Sequence, residues 1–278
     1  MPKFESSSSL GDSFTIPYYK VIAQNKDLTL TPKIFNESEI LLQNEYRQEN
    51  KNSSHITDLS LKKGENSSKS HFFSKTIADL DLSFFDNSEL ELNIETTSNN
   101  NYLKSHKIKS EITNSNSLLN SFLLLKGNRK NLSIEAKVEA YEDLTKEQSS
   151  DAYQFLLPSF ELSNNFNNNL TLVSNGYNKN YDTNVFEKVL INDFKYTTTP
   201  KINSKGFVNK LNILFKNVTT DSENSNEYTN TFRSQNFGSL LYDISFPMKK
   251  EGNNYDNFLS GKASLMYSPN KSKNIKNL

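Results

Sequence analysis

NLSIEAKVEAY, residues 131–141, alternates without a break. Leu132, Ile134, Ala136, Val138 and Ala140 fall on one side of an extended chain; Ser133, Glu135, Lys137, Glu139 and Tyr141 fall on the other. A period of two is the signature of a strand with one apolar and one polar face, whereas a helix would repeat every 3.6 residues. The pattern recurs along the chain. In EILLQNEYRQ (39–48), Ile40, Leu42 and Tyr46 oppose Gln43, Glu45 and Arg47. Leu80, Leu82 and Phe84 alternate with Asp81 and Ser83, and Leu90, Leu92 and Ile94 with Glu91, Asn93 and Glu95. Leu211, Ile213 and Phe215, then Tyr242, Ile244 and Phe246, then Ala263, Leu265 and Tyr267 continue it. Roughly a dozen to fifteen such runs can be counted, with helical periodicity almost missing. Polar clusters such as NSSKS, TTSNNN, NKNYDTN, TTDSENSNEY and EGNNYDN separate them and read as turns.

Composition narrows the function. The 278 residues carry 32 basic and 32 acidic side chains, so the net charge is zero, which argues against a nucleic-acid footprint. Cysteine is absent, which excludes disulfides, thiolate metal sites and a cysteine nucleophile within this span. His55, His71 and His106 are scattered without ligand spacing and read as ordinary polar residues. Mean hydropathy is −0.70, yet 12% of residues are Phe or Tyr, which disorder disfavours. No apolar run is long enough for a transmembrane helix, and the first residues lack the basic and apolar regions of a signal peptide. No composition shift marks a domain boundary, and no solenoid or propeller period is present. Nucleophile-elbow, zincin, P-loop and dinucleotide fingerprints are missing, and eight glycines are few for phosphate-cradling loops. For Asp81, Glu91, Glu135 and Glu139 a solvated strand face is the expected setting, and no catalytic residue is assigned.

Alternation alone fits two architectures. A soluble sandwich turns its apolar face inward. A transmembrane barrel turns it toward lipid and encloses the polar one. Run lengths near those of a tilted membrane strand, and aromatics near the run ends (Tyr18, Tyr19, Phe84, Phe85, Tyr153, Phe155, Phe246, Tyr267), fit the barrel.

Residues 14–35, FTIPYYKVIAQNKDLTLTPKIF, add a second signal: Pro17 and Pro32 lie inside runs that otherwise read as strands. Proline donates no ladder hydrogen bond and is normally kept to edges, strand starts and bulges. With its flanks, this stretch resembles the start of the barrel in the LPS-assembly outer-membrane protein LptD family. The matching elements are Pro17-Tyr18-Tyr19, Asn25-Lys26-Asp27, Thr31-Pro32 and Asn44-Glu45-Tyr46-Arg47, in order; KSHFFSK (69–75) and NYLK (101–104) resemble weaker family motifs.

The resemblance implies an all-β fold: an incomplete antiparallel transmembrane β-barrel, an open or partly curled sheet of roughly 12–15 strands. Residues 1–278 would form one partial barrel domain, without the family's signal peptide and periplasmic β-jellyroll, so that the chain reads as a fragment. It implies a cell-outer-membrane conduit, not an enzyme, with no cofactor, that inserts lipopolysaccharide into the outer leaflet. The implied partners are lipopolysaccharide, an LptE-like plug lipoprotein and periplasmic LPS-transport proteins. The family weakens a lateral seam with two prolines fifteen residues apart. Pro2 and Pro17 have that spacing and are the implied lateral-gate residues, while Pro32 is expected to end a strand. Another outer-membrane barrel, a porin or receptor, and a soluble β-rich surface or binding protein are the alternatives.

Overall fold

The computed structural model describes residues 2–7, 10–35, 39–63, 68–147, 149–167, 169–252 and 255–269. Seventeen strands are formed among the described residues. They are β1 (Lys3–Ser7), β2 (Gly11–Thr15), β3 (Tyr18–Ala23), β4 (Lys26–Phe35), β5 (Ile40–Asn50), β6 (Ser53–Lys63), β7 (Lys69–Asp79), β8 (Asn87–Thr97) and β9 (Leu118–Arg129). They continue as β10 (Leu132–Asp143), β11 (Tyr153–Asn165), β12 (Leu170–Tyr181), β13 (Val185–Thr197), β14 (Lys201–Ile202), β15 (Val208–Glu223), β16 (Arg233–Lys250) and β17 (Asn257–Tyr267). The helical segments among the described residues are one turn of α-helix, α1 (Tyr102–Ser105), and a 3-10 turn at Ser150–Ala152. The all-β antiparallel expectation holds, with more strands than the alternating runs suggested.

Two compact units divide the chain: Met1–Asn128, Glu135–Pro158 and Lys179–Asn184 form the first, and Arg129–Ile134, Ser159–Asn178 and Val185–Leu278 the second. In the first, β1 pairs β2, β2 and β3 both lie on β4, and β4 to β9 follow one another antiparallel. In the second, β13, β15, β16 and β17 form an antiparallel succession with the short β14 on β15. β17 is exposed along its whole length and pairs with β16.

Three local expectations are corrected. Residues 80–84 alternate but form no strand: β7 stops at Asp79, and Asp81 takes a φ of 48°. Phe85 N–H then donates to the Leu82 carbonyl at 2.9 Å, closing a turn. Several polar clusters read as turns are strand instead: Lys69 and Ser70 open β7, Thr96 and Thr97 close β8, and Thr219–Glu223 extend β15. Ladder hydrogen bonds come from the backbone, so a polar run stays extended wherever its neighbour does. Pro32 does not end its strand; it lies inside β4 opposite Leu42. Its carbonyl accepts from Ile16 N–H at 3.2 Å. A strand residue aims its N and its C=O to the same side, so the missing N–H of Pro32 faces the break between β2 and β3, where no regular ladder is lost.

Candidate functional site

The two faces of the sheet differ in kind. In the first unit the register stacks the charged residues of neighbouring strands on one face. Lys33 meets Glu5 at 2.7 Å, Arg47 meets Asp27 at 3.0 Å, Lys75 meets Glu91 at 3.0 Å and Lys126 meets Glu89 at 3.1 Å. Gln43, Glu45, Asp58, Ser60, Lys62 and His71 share this face by alternation and register. The opposite face carries Ile34, Ile40, Leu42, Leu59, Leu61, Phe72, Leu123 and Leu125, all substantially exposed; Ile40 is 52% and Leu61 55% accessible. Paired neighbours such as Leu42 with Leu61, Leu59 with Phe72, and Leu92 with Leu123 make the apolar face continuous.

The second unit repeats the division. Leu190, Phe194, Tyr196, Ile213, Phe215, Leu240, Tyr242 and Leu265 share one face and are exposed. The other face holds Asp193 with Lys216 at 3.2 Å, the buried Glu187, Thr220 and Ser222, and a recess of about 520 Å3 in which Lys195, Lys210, Asn212, Ser239 and Asp243 stand beside the apolar Leu214, Leu241 and Met266. Asn212 and Ser264 both donate to the Asp243 carboxylate, at 3.1 and 2.6 Å.

Ion pairs at this level of exposure contribute little to stability, about 0–1 kcal/mol each. Their consequence is a face compatible with water and ions. The exposed apolar rows are the costlier feature. Eight half-exposed large apolar side chains in the first unit forgo burial worth on the order of 10 kcal/mol, comparable with the whole stability of a typical domain. A surface like this calls for a second apolar phase.

One segment covers part of the charged face. Between β8 and β9 the chain turns back over β4–β7, and Tyr102, Leu103, Ile108 and Ile112 pack with Phe35, Leu41, Phe73, Leu119 and Leu144 in the apolar cluster of this unit. Ser60 Oγ lies 2.7 Å from the Tyr102 hydroxyl and 2.6 Å from His71 Nδ1, and His71 Nε2 is 3.2 Å from Asp58. Gln43 donates to the Lys109 carbonyl at 2.9 Å. His106 stands edge-on to Phe35, and burial lowers its pKa below the ordinary histidine value. Burial likewise raises the Tyr102 hydroxyl. His71 is thus fully buried in a polar network, whereas His55, on the apolar face, bonds Thr76 and Thr57 at 2.8 Å. Sequence spacing carries no sign of the network, because Asp58, Ser60, His71 and Tyr102 come from three different elements. Among the described residues no group of histidine and carboxylate side chains is arranged to hold a metal ion.

The two prolines implied as gate residues come close together. Lys3 pairs with Thr15, so Pro2, one step further, falls abreast of Ile16, and Pro17 follows immediately. Ile16 and Pro17 form the interruption between β2 and β3. β3 is exposed at all six residues, with Tyr18, Tyr19, Val21 and Ile22 each half-exposed or more. The aromatics expected near strand ends are partly so placed: Tyr18 opens β3, Tyr153 opens β11 stacked on Phe155, and Tyr267 closes β17, but Phe246 is inside β16 and Phe84 and Phe85 are in the turn after β7.

Comparison with known proteins finds a short sequence similarity and a structural likeness of low score. No family model matches the chain. A stretch of 46 residues is 46% identical to the LPS-assembly protein LptD of Paraburkholderia xenovorans (strain LB400), covering 16% of this chain and 6% of that protein. The chain therefore matches only a small part of that relative's length. A solved bacterial polysaccharide outer membrane secretin aligns over 92% of this chain and 83% of its own, at 10% identity and a TM-score of 0.33.

Proposed function

We propose that this chain is part of an outer-membrane β-barrel whose charged face lines a passage and whose apolar face meets lipid, and that the passage carries lipopolysaccharide to the outer leaflet. The observation that carries the reading is the sidedness of the sheet: exposed aliphatic rows on one face, cross-strand ion pairs on the other, in each unit separately. The local similarity to LptD supports the choice of cargo. No step of this function is catalytic. Ordered carboxylate–lysine pairs and the two-lysine recess offer transient partners to phosphates and sugar hydroxyls, while acyl chains need an exit between strands.

The exit is assigned to the seam around Pro2 and Pro17. Neither proline donates a ladder bond, so parting the strands there breaks fewer bonds than elsewhere, at about 1 kcal/mol net per bond in water and more in hydrocarbon. The partners of this reading are lipopolysaccharide, the periplasmic proteins that deliver it and a plug lipoprotein of the LptE kind.

The test is where the chain partitions. Expressed in a Gram-negative cell, it fractionates with the outer membrane, resists urea extraction and refolds in detergent. A folded monomer stable in detergent-free buffer would end the reading, because the exposed aliphatic rows would then need no lipid.

A further inference from the structure

We infer that residues 98–117 are a resident plug: a length of this chain folded back over its own charged face, narrowing the passage from within and occupying the inner wall of β4–β7. The inference rests on the outer-membrane reading above and adds to it an internal occluding element.

The placement of the segment is the first argument. The next connections at the same end of the sheet are shorter: residues 64–68 join β6 to β7, and residues 144–152 join β10 to β11. The connection between β8 and β9 spans residues 98–117, far more than pairing two adjacent antiparallel strands requires. Long connections usually run over the surface, yet Tyr102 and Leu103 here are fully buried and Ile108 and Ile112 nearly so.

The second argument is which face it covers. In a water-soluble sheet protein, a covering segment belongs on the aliphatic face, where burial is worth most. This one leaves Ile40, Leu42, Leu59 and Leu61 bare and lies on the face of Gln43, Glu45, Asp58, Ser60 and His71. It is built for that face. Its apolar residues meet the few inward-facing apolar side chains, Phe35, Leu41 and Phe73, while Tyr102 brings a hydroxyl to Ser60 and Lys109 a carbonyl to Gln43. The Asp58–His71–Ser60–Tyr102 chain ties the segment to β6 and β7 at once. A second protein entering the passage finds this part of the wall already taken.

The experiment uses the protein reconstituted in planar bilayers and in vesicles. Replacing 99–117 by a two-residue turn should raise single-channel conductance several-fold. Because a deletion can disturb folding, single cysteines, otherwise absent from the chain, supply a second measurement in the intact protein. Leu103→Cys should react with a water-soluble maleimide at least tenfold more slowly than the neighbouring Lys104→Cys, and adding Tyr102→Phe should narrow that gap. Equal labelling of the two cysteines, or wild-type conductance in an inserted deletion variant, overturns the plug and leaves the barrel standing. A wild-type protein that does not enter bilayers at all overturns the membrane reading and the plug with it.

Discussion

His106 shows how a single side chain reports on the covered face. Its Nδ1–H donates to the Tyr102 carbonyl at 3.0 Å, and its ring packs against Phe35 and Tyr102. Burial is the largest influence on it and lowers its pKa; the hydrogen bond to the Tyr102 carbonyl opposes this, Lys62 and Lys69 act with burial, and Glu39 acts against it. The folded state thus disfavours the imidazolium, so the unfolded segment binds more protons in the window below the ordinary histidine value, and local stability falls as pH drops through it. Amide exchange at residues 102–108, corrected for the intrinsic rate, should be slower at pH 7.5 than at pH 5.5, and His106→Gln should remove that difference. A pH-independent protection in the wild type would mean that the neutral ring is not what the fold selects. Of this behaviour nothing was legible in the sequence, where His106 is one of three scattered histidines. Its surroundings come from β4, β6 and β7, which only the register assembles.

At the scale of the element, the first strands differ from the rest. β1 and β2 are five residues each, and β2 and β3 share β4 with a break at Ile16 and Pro17. The sequence located this weak place, since three prolines fall within the first 32 residues and proline cannot complete a ladder. It misjudged Pro32, whose place inside β4 is tolerated because its missing donor faces the break. Giving Pro2 and Pro17 back their N–H groups, as Pro2→Ala with Pro17→Val, should tighten the seam by about 1 kcal/mol per restored bond, roughly fivefold each in the opening equilibrium. On the proposed function, surface delivery of lipopolysaccharide should slow accordingly. Unchanged delivery in a normally assembled double variant removes the gate from these prolines.

The whole molecule is decided by sidedness, and SFLLLKG (121–127) puts it to the test. Three successive leucines give no hint of which faces lipid. The register with β8 does: Leu123 lies beside Leu92 and Leu125 beside Leu90, whereas Leu124 lies beside Glu91. Leu123→Lys should therefore cost roughly 2–4 kcal/mol in denaturant unfolding from vesicles, as a cation on the lipid face of a membrane barrel does. Leu124→Lys gains Glu91 as a neighbour and should cost at most a few tenths of a kcal/mol. Equal costs for the two variants would show that the faces are not the lipid and passage sides.

Alternation in the sequence by itself determined that the chain is all-β, that its strands are two-faced and antiparallel-sized, and where pairing is interrupted by proline. Side-chain direction in a strand has a period of two and needs no knowledge of the partner. The choice between an inward and an exposed apolar face lay beyond it, because both produce the same one-dimensional pattern. Tertiary structure decided that, together with the joining of Asp58, Ser60, His71 and Tyr102 and the return of residues 98–117 over the charged face. Those are matters of register and of long-range packing, in which residues far apart in the chain become neighbours only after the ladder is formed.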